Sequence, residues 1–309
     1  MPTVLITGGT GTIGKRLTTL LLQKGYSVNI LTRNNIPSNQ PNLTHFQWDI
    51  NAQTIDPLAI QSAQFIIHLA GAGVADKRWS TYRKNEILNS RIKSSALIVK
   101  ALNEIKNNVQ AVISASAIGW YGPDLSSTPP DGFKETDAAY DDFLGNTCAA
   151  WEKSVKPVVQ LGKRLVILRT GIVLSNKGGA LVEFMKPLKF KIAPILGNGK
   201  QMISWIHIDD LCDQYIWAIE NTDMKGVYNA VAPSPISNKN LVLALALKVV
   251  GKYFITFNVP SFILKVILGE MSIEVLKSTT VSCQKILEQG YCFKYPLIKD
   301  ALQQLLVTD

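Results

Sequence analysis

Near its start the chain carries glycines spaced to hold phosphate: Gly8-Gly9-Thr10-Gly11-Thr12-Ile13-Gly14, between an apolar run and a segment of helical periodicity. Gly8 permits a tight turn, Gly11 lets backbone approach a pyrophosphate, and Gly14 lets the helix lie close to the strand. Backbone N–H groups and the helix N-terminus then face the anion. The spacing is G-x-x-G-x-x-G in a strand–turn–helix setting, which points to a dinucleotide. The second strand ends Leu31-Thr32-Arg33-Asn34, with no acid to accept from a ribose 2′-hydroxyl. A guanidinium at Arg33, with Thr32 donating beside it, suits a 2′-phosphate, so NADP(H) is expected over NAD(H). Asp49, after the third strand, has two readings: an acceptor for an adenine amino group, or the cap of a turn.

The elements that must position these residues alternate. Strands are expected at 3–7, 27–32, 45–48, 65–69, 111–114 and 165–168, and helices at 12–24, ended by Gly25, and 80–105. This rhythm predicts an α/β fold, a Rossmann-type doubly wound parallel sheet covered on both faces. Beyond residue 170 the chain is punctuated by Gly178, Gly179, Pro187, Pro194, Gly197 and Gly199. Helices at 240–250, 261–268 and 297–307 and a strand at 253–257 follow. The expected division is a nucleotide-binding core over 1–170, to which the chain returns near 202–230. A smaller, partly interleaved substrate lobe takes 171–201 and 231–309, including a small C-terminal domain of about 260–309.

Composition narrows the chemistry. The 309 residues are 47% hydrophobic and 18% charged, enough for a large core and against disorder. Net charge is +9, which favours an anionic partner such as a nucleotide, phosphate, nucleic acid or acidic lipid. The tightest basic group, Lys186, Lys189 and Lys191, alternates with apolar residues, so nucleic acid is not the expected partner. The four cysteines form no C-x-x-C and the three histidines share no ligand spacing, so neither a disulfide framework nor a metal site is expected. Apolar runs are too short to span a bilayer, and the first strand leaves no room for a signal peptide. A cytoplasmic protein with no membrane partner is the expectation, of no defined oligomeric state.

Taken in order, the motifs resemble the extended short-chain dehydrogenase/reductase superfamily, and within it the YfcH-like epimerase-family branch. They are TGGTGTIG (7–14), HLAGA (68–72), RW…NSR (78–91), SASAIGWYG (114–122), WEK (151–153), LRTGIVLS (168–175), SWIHIDD (204–210) and YNAVAP (228–233). Residues 285–306 resemble the branch's small C-terminal domain. The resemblance implies bound NADP(H), with Gly8, Gly11, Thr12, Ile13 and Gly14 on the phosphates and Thr32 and Arg33 on the 2′-phosphate. It further places Leu69, Ala70 and Gly71 in the turn after the fourth strand, Glu86 and Arg91 near the cofactor, and Val173 beside the nicotinamide. Taken alone, Glu86 reads as a solvated helix position and Arg91 as half of a surface ion pair.

The superfamily's proton chemistry uses a Ser, a Tyr and a Lys four residues after it. Ser116 matches the serine, with Ser114 a weaker candidate, and Tyr121 lines the site in relatives. Ser116 reads equally as a strand-end cap. Aligning on Glu152 puts Leu144 and Cys148 where the Tyr and Lys belong. Cys148 reads as a buried apolar residue. The literal match Tyr295-x-x-x-Lys299 reads as a decoy, because Pro296 disfavours helix at Tyr295. His207 and Asp209 are possible helpers, or a loop that packs and caps a helix near Asp210. The resulting expectation is an NADP-dependent oxidoreductase or epimerase-like enzyme with a different proton relay. Its substrate would be a small molecule, a nucleotide sugar or another carbonyl or hydroxyl compound. The alternatives are a catalytically silent NADP(H)-binding redox sensor and an interaction protein.

Overall fold

The computed structural model describes residues 1–34 and 37–306. The first half runs β1 (Thr3–Thr7), α1 (Thr12–Gln23), β2 (Ser27–Thr32), β3 (Leu43–Asp49), β4 (Thr54–Ile55), α2 (Pro57–Gln61), β5 (Phe65–His68), α3 (Thr81–Glu104), β6 (Ala111–Ala117), α4 (Phe143–Val155) and β7 (Arg164–Thr170). There follow β8 (Ile172–Leu174), α5 (Ala180–Leu188), β9 (Ile192–Leu196), β10 (Met202–Ile203), β11 (Trp205–His207), α6 (Ile208–Glu220) and β12 (Gly226–Ala230). The chain closes with β13 (Ile236–Ser237), α7 (Asn238–Val250), β14 (Ile255–Val259), α8 (Ser261–Leu268), α9 (Ser272–Leu276), α10 (Gln284–Glu288) and α11 (Ile298–Leu306).

The main sheet has eight strands in the order β12-β7-β6-β5-β1-β2-β3-β4, parallel except for the β3–β4 pair. Chain order reverses between β1 and β5, so the ends of both strands open into one crevice. Each face has its own core. Val4, Ile6, Ile113 and Leu168 join α1 and α6 on one side, and Leu5, Ile66, Val112 and Ile167 join α3 on the other. The alternation within β1 sends neighbouring residues to opposite faces, which is why its whole run is apolar.

The second half adds small sheets: β8 parallel to β11, β9 parallel to β14, and β10 antiparallel to β13. Helix α8 falls on the expected residues, whereas the strand read at 253–257 is β14, two residues later. Its register is set by pairing Ile255 with Ile192 through Val259 with Leu196, a partner 63 residues away that the local pattern does not reveal. Helix α11 fits the last predicted helix, with Val307 outside the described residues.

Asp210 joins the C-terminal segment to the core. Its buried carboxylate accepts from the Lys294 N–H at 2.7 Å and the Tyr295 N–H at 3.0 Å, and the Tyr291 hydroxyl donates to its carbonyl at 3.0 Å. Tyr295 also lies ring against ring with His207, 4.0 Å between centroids. Tyr295 thereby anchors the C-terminal segment to the core. Asp210→Ala leaves two amides without their acceptor, so urea unfolding should show a loss of about 2–4 kcal/mol. A loss under about 0.5 kcal/mol, the scale of an ordinary surface substitution, would show that the anchor contributes little.

Candidate functional site

The glycine turn is built by mutual exclusion. Gly8 sits at φ +72°, and a Cβ there would stand 3.0 Å from the Leu69 carbonyl carbon and 3.1 Å from the Ala70 nitrogen. A Cβ on Gly14 would collide with the Gly8 oxygen and with Gly9. Gly11 differs. Its Cβ would meet only the Gly8 oxygen, at 3.4 Å, an ordinary contact, so the protein itself leaves that direction open. Gly11 is also the N-cap of α1, with no side chain bonded to the helix's first amides and no acid in its first turn. Amides with partial positive charge thus stand at an open backbone surface. The segment after β8 lies directly over this turn, since a Cβ on Gly178 would reach Thr12 Oγ1 at 2.8 Å. Val173, in β8, leads into that segment.

Thr7 aligns the opposite wall. Its Oγ1 accepts from the Leu69 and Ala70 N–H groups, both at 3.0 Å. With its lone pairs so used, the hydroxyl donates to His68 Nδ1 at 2.8 Å, which assigns the Nε2–H tautomer with Ser95 Oγ accepting at 3.1 Å. Complete burial pushes the His68 pKa down to about 4. The chain Ser95–His68–Thr7 therefore holds Leu69, Ala70 and Gly71 beside Gly8. The family motif HLAGA held this histidine, but its partner Ser95 lies 27 residues on, beyond the reach of local pattern.

Arg91 lies beneath the same turn. Its Nη1 donates to the Ala72 carbonyl at 3.0 Å and the Ile87 carbonyl at 2.9 Å, and its guanidinium lies 4.9 Å from the Trp151 ring centre. Desolvation lowers its pKa. The surface ion pair suggested by sequence alone is not what the structure contains: among the described residues no carboxylate pairs with Arg91. Its neighbour Arg83, buried, donates to Glu86 Oε2 at 2.6 Å and to the Gly73 carbonyl.

At the other end of the crevice a cavity of about 550 Å³ gathers Arg33, Asp49 and Glu86 with Asn51, Asn89 and Lys93. Arg33 is exposed there. Thr32 is buried, its hydroxyl donating to the Asn34 carbonyl at 2.6 Å. Asp49 caps a turn: Oδ1 accepts from the Asn51 and Ala52 N–H groups at 2.7 and 3.0 Å, which hold its pKa below the usual value.

The two candidate catalytic residues, Ser116 and Tyr121, are buried in one polar network. Ser116 Oγ donates to Glu152 Oε1 at 2.8 Å and is 3% exposed. Arg169 holds the same carboxylate through Nε at 2.8 Å and Nη2 at 3.1 Å, and Arg169 Nη1 donates to the Tyr121 hydroxyl at 3.0 Å. Tyr121 donates in turn to Asn229 Oδ1 at 2.7 Å, and burial raises its pKa to about 12 despite the cation beside it. The physical reason is the buried ion pair, whose remaining donors and acceptors need partners. Ser114 is turned to a backbone carbonyl, that of Ala115.

Leu144 and Cys148 do face the end of β6. A Cβ on Gly119 would be 3.1 Å from Leu144 Cβ and 3.7 Å from Cys148 Sγ. Burial pushes the Cys148 thiol up to about 12, too high for a thiolate near neutrality. His207 caps α6, its Nδ1 accepting from the Asp209 N–H at 3.0 Å, while Asp209 grips Arg16 through two bonds at 2.6 and 2.8 Å. Among the described residues no cluster of His, Cys, Asp and Glu could hold a metal, and no helix is long and apolar enough to cross a membrane.

The chain has relatives along nearly its whole length. The chain is 35% identical over 302 residues to epimerase family protein SSP1921 of Staphylococcus saprophyticus, covering 98% of each chain. It is 34% identical to epimerase family protein YfhF of Bacillus subtilis, over 98% of this chain and 97% of that one. Residues 4–151 match the NAD-dependent epimerase/dehydratase family. The chain belongs to that family. Residues 259–305 match a domain of unknown function, DUF1731. The crystal structure of human epimerase family protein SDR39U1 (isoform 2) with NADPH superposes with a TM-score of 0.84 at 27% identity, covering 98% of each chain. A nucleoside-diphosphate sugar epimerase from Corynebacterium glutamicum gives 0.78 at 28% identity, over 99% of this chain and 58% of that one. As in these epimerase-family relatives, the fold of this family member is a large parallel sheet flanked by helices.

Two outcomes follow from the buried groups. Below pH 6.5 unfolded His68 takes up a proton that the folded ring refuses down to about pH 4. Stability is therefore lost as pH falls through that window, about 2 kcal/mol by pH 5 from this residue. Urea unfolding at pH 7 and pH 5 should show the loss, and His68→Gln should flatten it; an unchanged slope would place the proton elsewhere. Glu152→Gln, which leaves Arg169 buried without a counter-charge, should cost about 3–5 kcal/mol, and Ser116→Ala only about 1 kcal/mol. Similar losses for the two would mean that the ion pair is not the dominant member.

Proposed function

We propose that the chain binds NADP(H) in the crevice between β1, β2 and β5 and works as an oxidoreductase or epimerase-like enzyme on a small carbonyl or hydroxyl compound. The observation that carries the cofactor choice is Arg33, exposed in the 550 Å³ cavity at the end of β2, with no acid at 32 or 33. The guanidinium attracts a 2′-phosphate that a carboxylate would repel. Thr32 supports this end from beneath, its hydroxyl holding the Asn34 carbonyl. Asp49 and Glu86 line the adenosine side of the cavity. Gly8, Gly11, Thr12, Ile13 and Gly14 take the pyrophosphate, with Leu69, Ala70 and Gly71 as the facing wall. Arg91 fixes that wall through the Ala72 carbonyl, and Val173 borders the nicotinamide end. The NADPH of the human relative supports the reading.

When bound, the nicotinamide supplies hydride transfer to or from a substrate carbon. The chain's own residues orient it and exclude water. Ser116 and Tyr121 act here as positioning residues: with Glu152 and Arg169 they fix the end of β6 against α4. The reaction's proton then comes from a group other than the usual pair, whose positions hold Leu144 and Cys148. A second reading, a cofactor-holding sensor without turnover, is favoured by the same two residues and by the high Tyr121 pKa. Substrate-dependent oxidation of NADPH across a panel of small carbonyl compounds and nucleotide sugars separates the two.

Calorimetric titration tests the cofactor assignment. Arg33→Ala should weaken NADPH by roughly ten- to hundredfold and leave NADH almost unchanged, the loss of a charge-assisted contact. Gly11→Val, tolerated by the fold, should abolish both. Equal losses for the two cofactors in Arg33→Ala would show that Arg33 serves the common part of the dinucleotide or the fold.

A further inference from the structure

The chain carries 32 Lys and Arg against 23 Asp and Glu. Residues 184–200 and 231–269, which contain the paired strands β9 and β14, carry eight of the lysines and no acid.

The same lobe exposes apolar side chains. Phe190, Tyr253, Ile255, Phe262, Val266 and Ile267 are 63–84% exposed. They lie on contiguous elements. The Ile255 N–H donates to the Lys191 carbonyl at 2.9 Å, joining the turn after α5 to β14, and the Gly197 N–H donates to the Val259 carbonyl at 2.9 Å just before α8 begins. Among the described residues β14 pairs only with β9, and α8 buries only Leu264. Lys189, Lys191, Lys252 and Lys265 are interspersed and exposed, and among the described residues none forms an ion pair; Lys186 is held by Glu183.

We propose that this face docks on an anionic lipid bilayer, with the aromatic and aliphatic side chains entering the headgroup boundary and the lysines meeting lipid phosphates. Bulky apolar side chains set among lysines are the chemistry of an interfacial contact rather than of a span. A second copy of the chain fits less well, because a two-fold contact would set lysines against lysines with no acid on either side. Nucleic acid would satisfy the lysines but gives Val266 and Ile267 nothing to bury against.

The test is flotation of the full chain with phosphatidylcholine vesicles, with and without phosphatidylglycerol, at low and high salt. Binding should require phosphatidylglycerol and fall at high salt. Lys252→Glu with Lys265→Glu, and separately Phe262→Ser with Val266→Ser, should each lower the bound fraction at least about tenfold while the thermal midpoint stays near that of the parent. No binding to phosphatidylglycerol vesicles, or equal binding by parent and both variants, would overturn the proposal. So would analytical ultracentrifugation showing a dimer that the Phe262/Val266 variant dissociates, without vesicle binding by the parent; the face would then join two copies.

Discussion

The bidentate pair between Arg169 and Glu152 sits in a setting that makes it unusually demanding, with side chains 3% and 2% exposed. Burial alone would lower the arginine pKa; bonding to Glu152 and Tyr121 offsets that and the net shift is upward. Two charges so placed are tolerable only if their remaining hydrogen-bonding capacity is met. Ser116 meets it on β6, Tyr121 and Asn229 extend it to β12, and the Trp120 ring lies 3.6 Å from the guanidinium. Glu135 joins too, its carbonyl accepting from Arg169 Nη1 at 3.3 Å and its Oε1 from the Asn229 N–H at 2.7 Å, so strands, helix and loop are fixed by one network. The side chains that would serve as free acids in an open site are here consumed by structure.

That network also explains where the sequence was readable. The glycine turn was legible because each glycine's reason is local: a positive φ, a close backbone approach, a helix seated on a strand. Strands β1, β5 and β7 were legible because their runs are apolar on both faces. Ser116 was not, since its partner Glu152 is 36 residues away, and Tyr121 meets Asn229 across 108. The signal available was a charge at the end of an otherwise apolar strand, LVILR, which demands a buried counter-charge somewhere in the fold. Arg91 misled in the opposite way. A helix surface pattern suggested solvent, whereas Trp151 from α4 covers it.

Substitution at the relay positions fits this picture. Leu144 and Cys148 extend apolar packing from α4 onto the end of β6, and Gly119 is small because they press against it. Leu144 is half-buried and Cys148 buried there, while the polar contacts of the region lie at Glu152 and Arg169.

Arg16 follows the phosphate turn by one helical step and is gripped by Asp209, 193 residues later, while the adjacent Asp210 gathers the amides of Lys294 and Tyr295. The unit of β1, turn and α1 is thereby clamped by the start of α6, which in turn holds the segment before α11. Such distant closures slow folding, because the loop must be ordered before the contact rewards it. A polypeptide that stopped short of Asp209 would keep every glycine of the turn and lack the clasp on the helix that follows it.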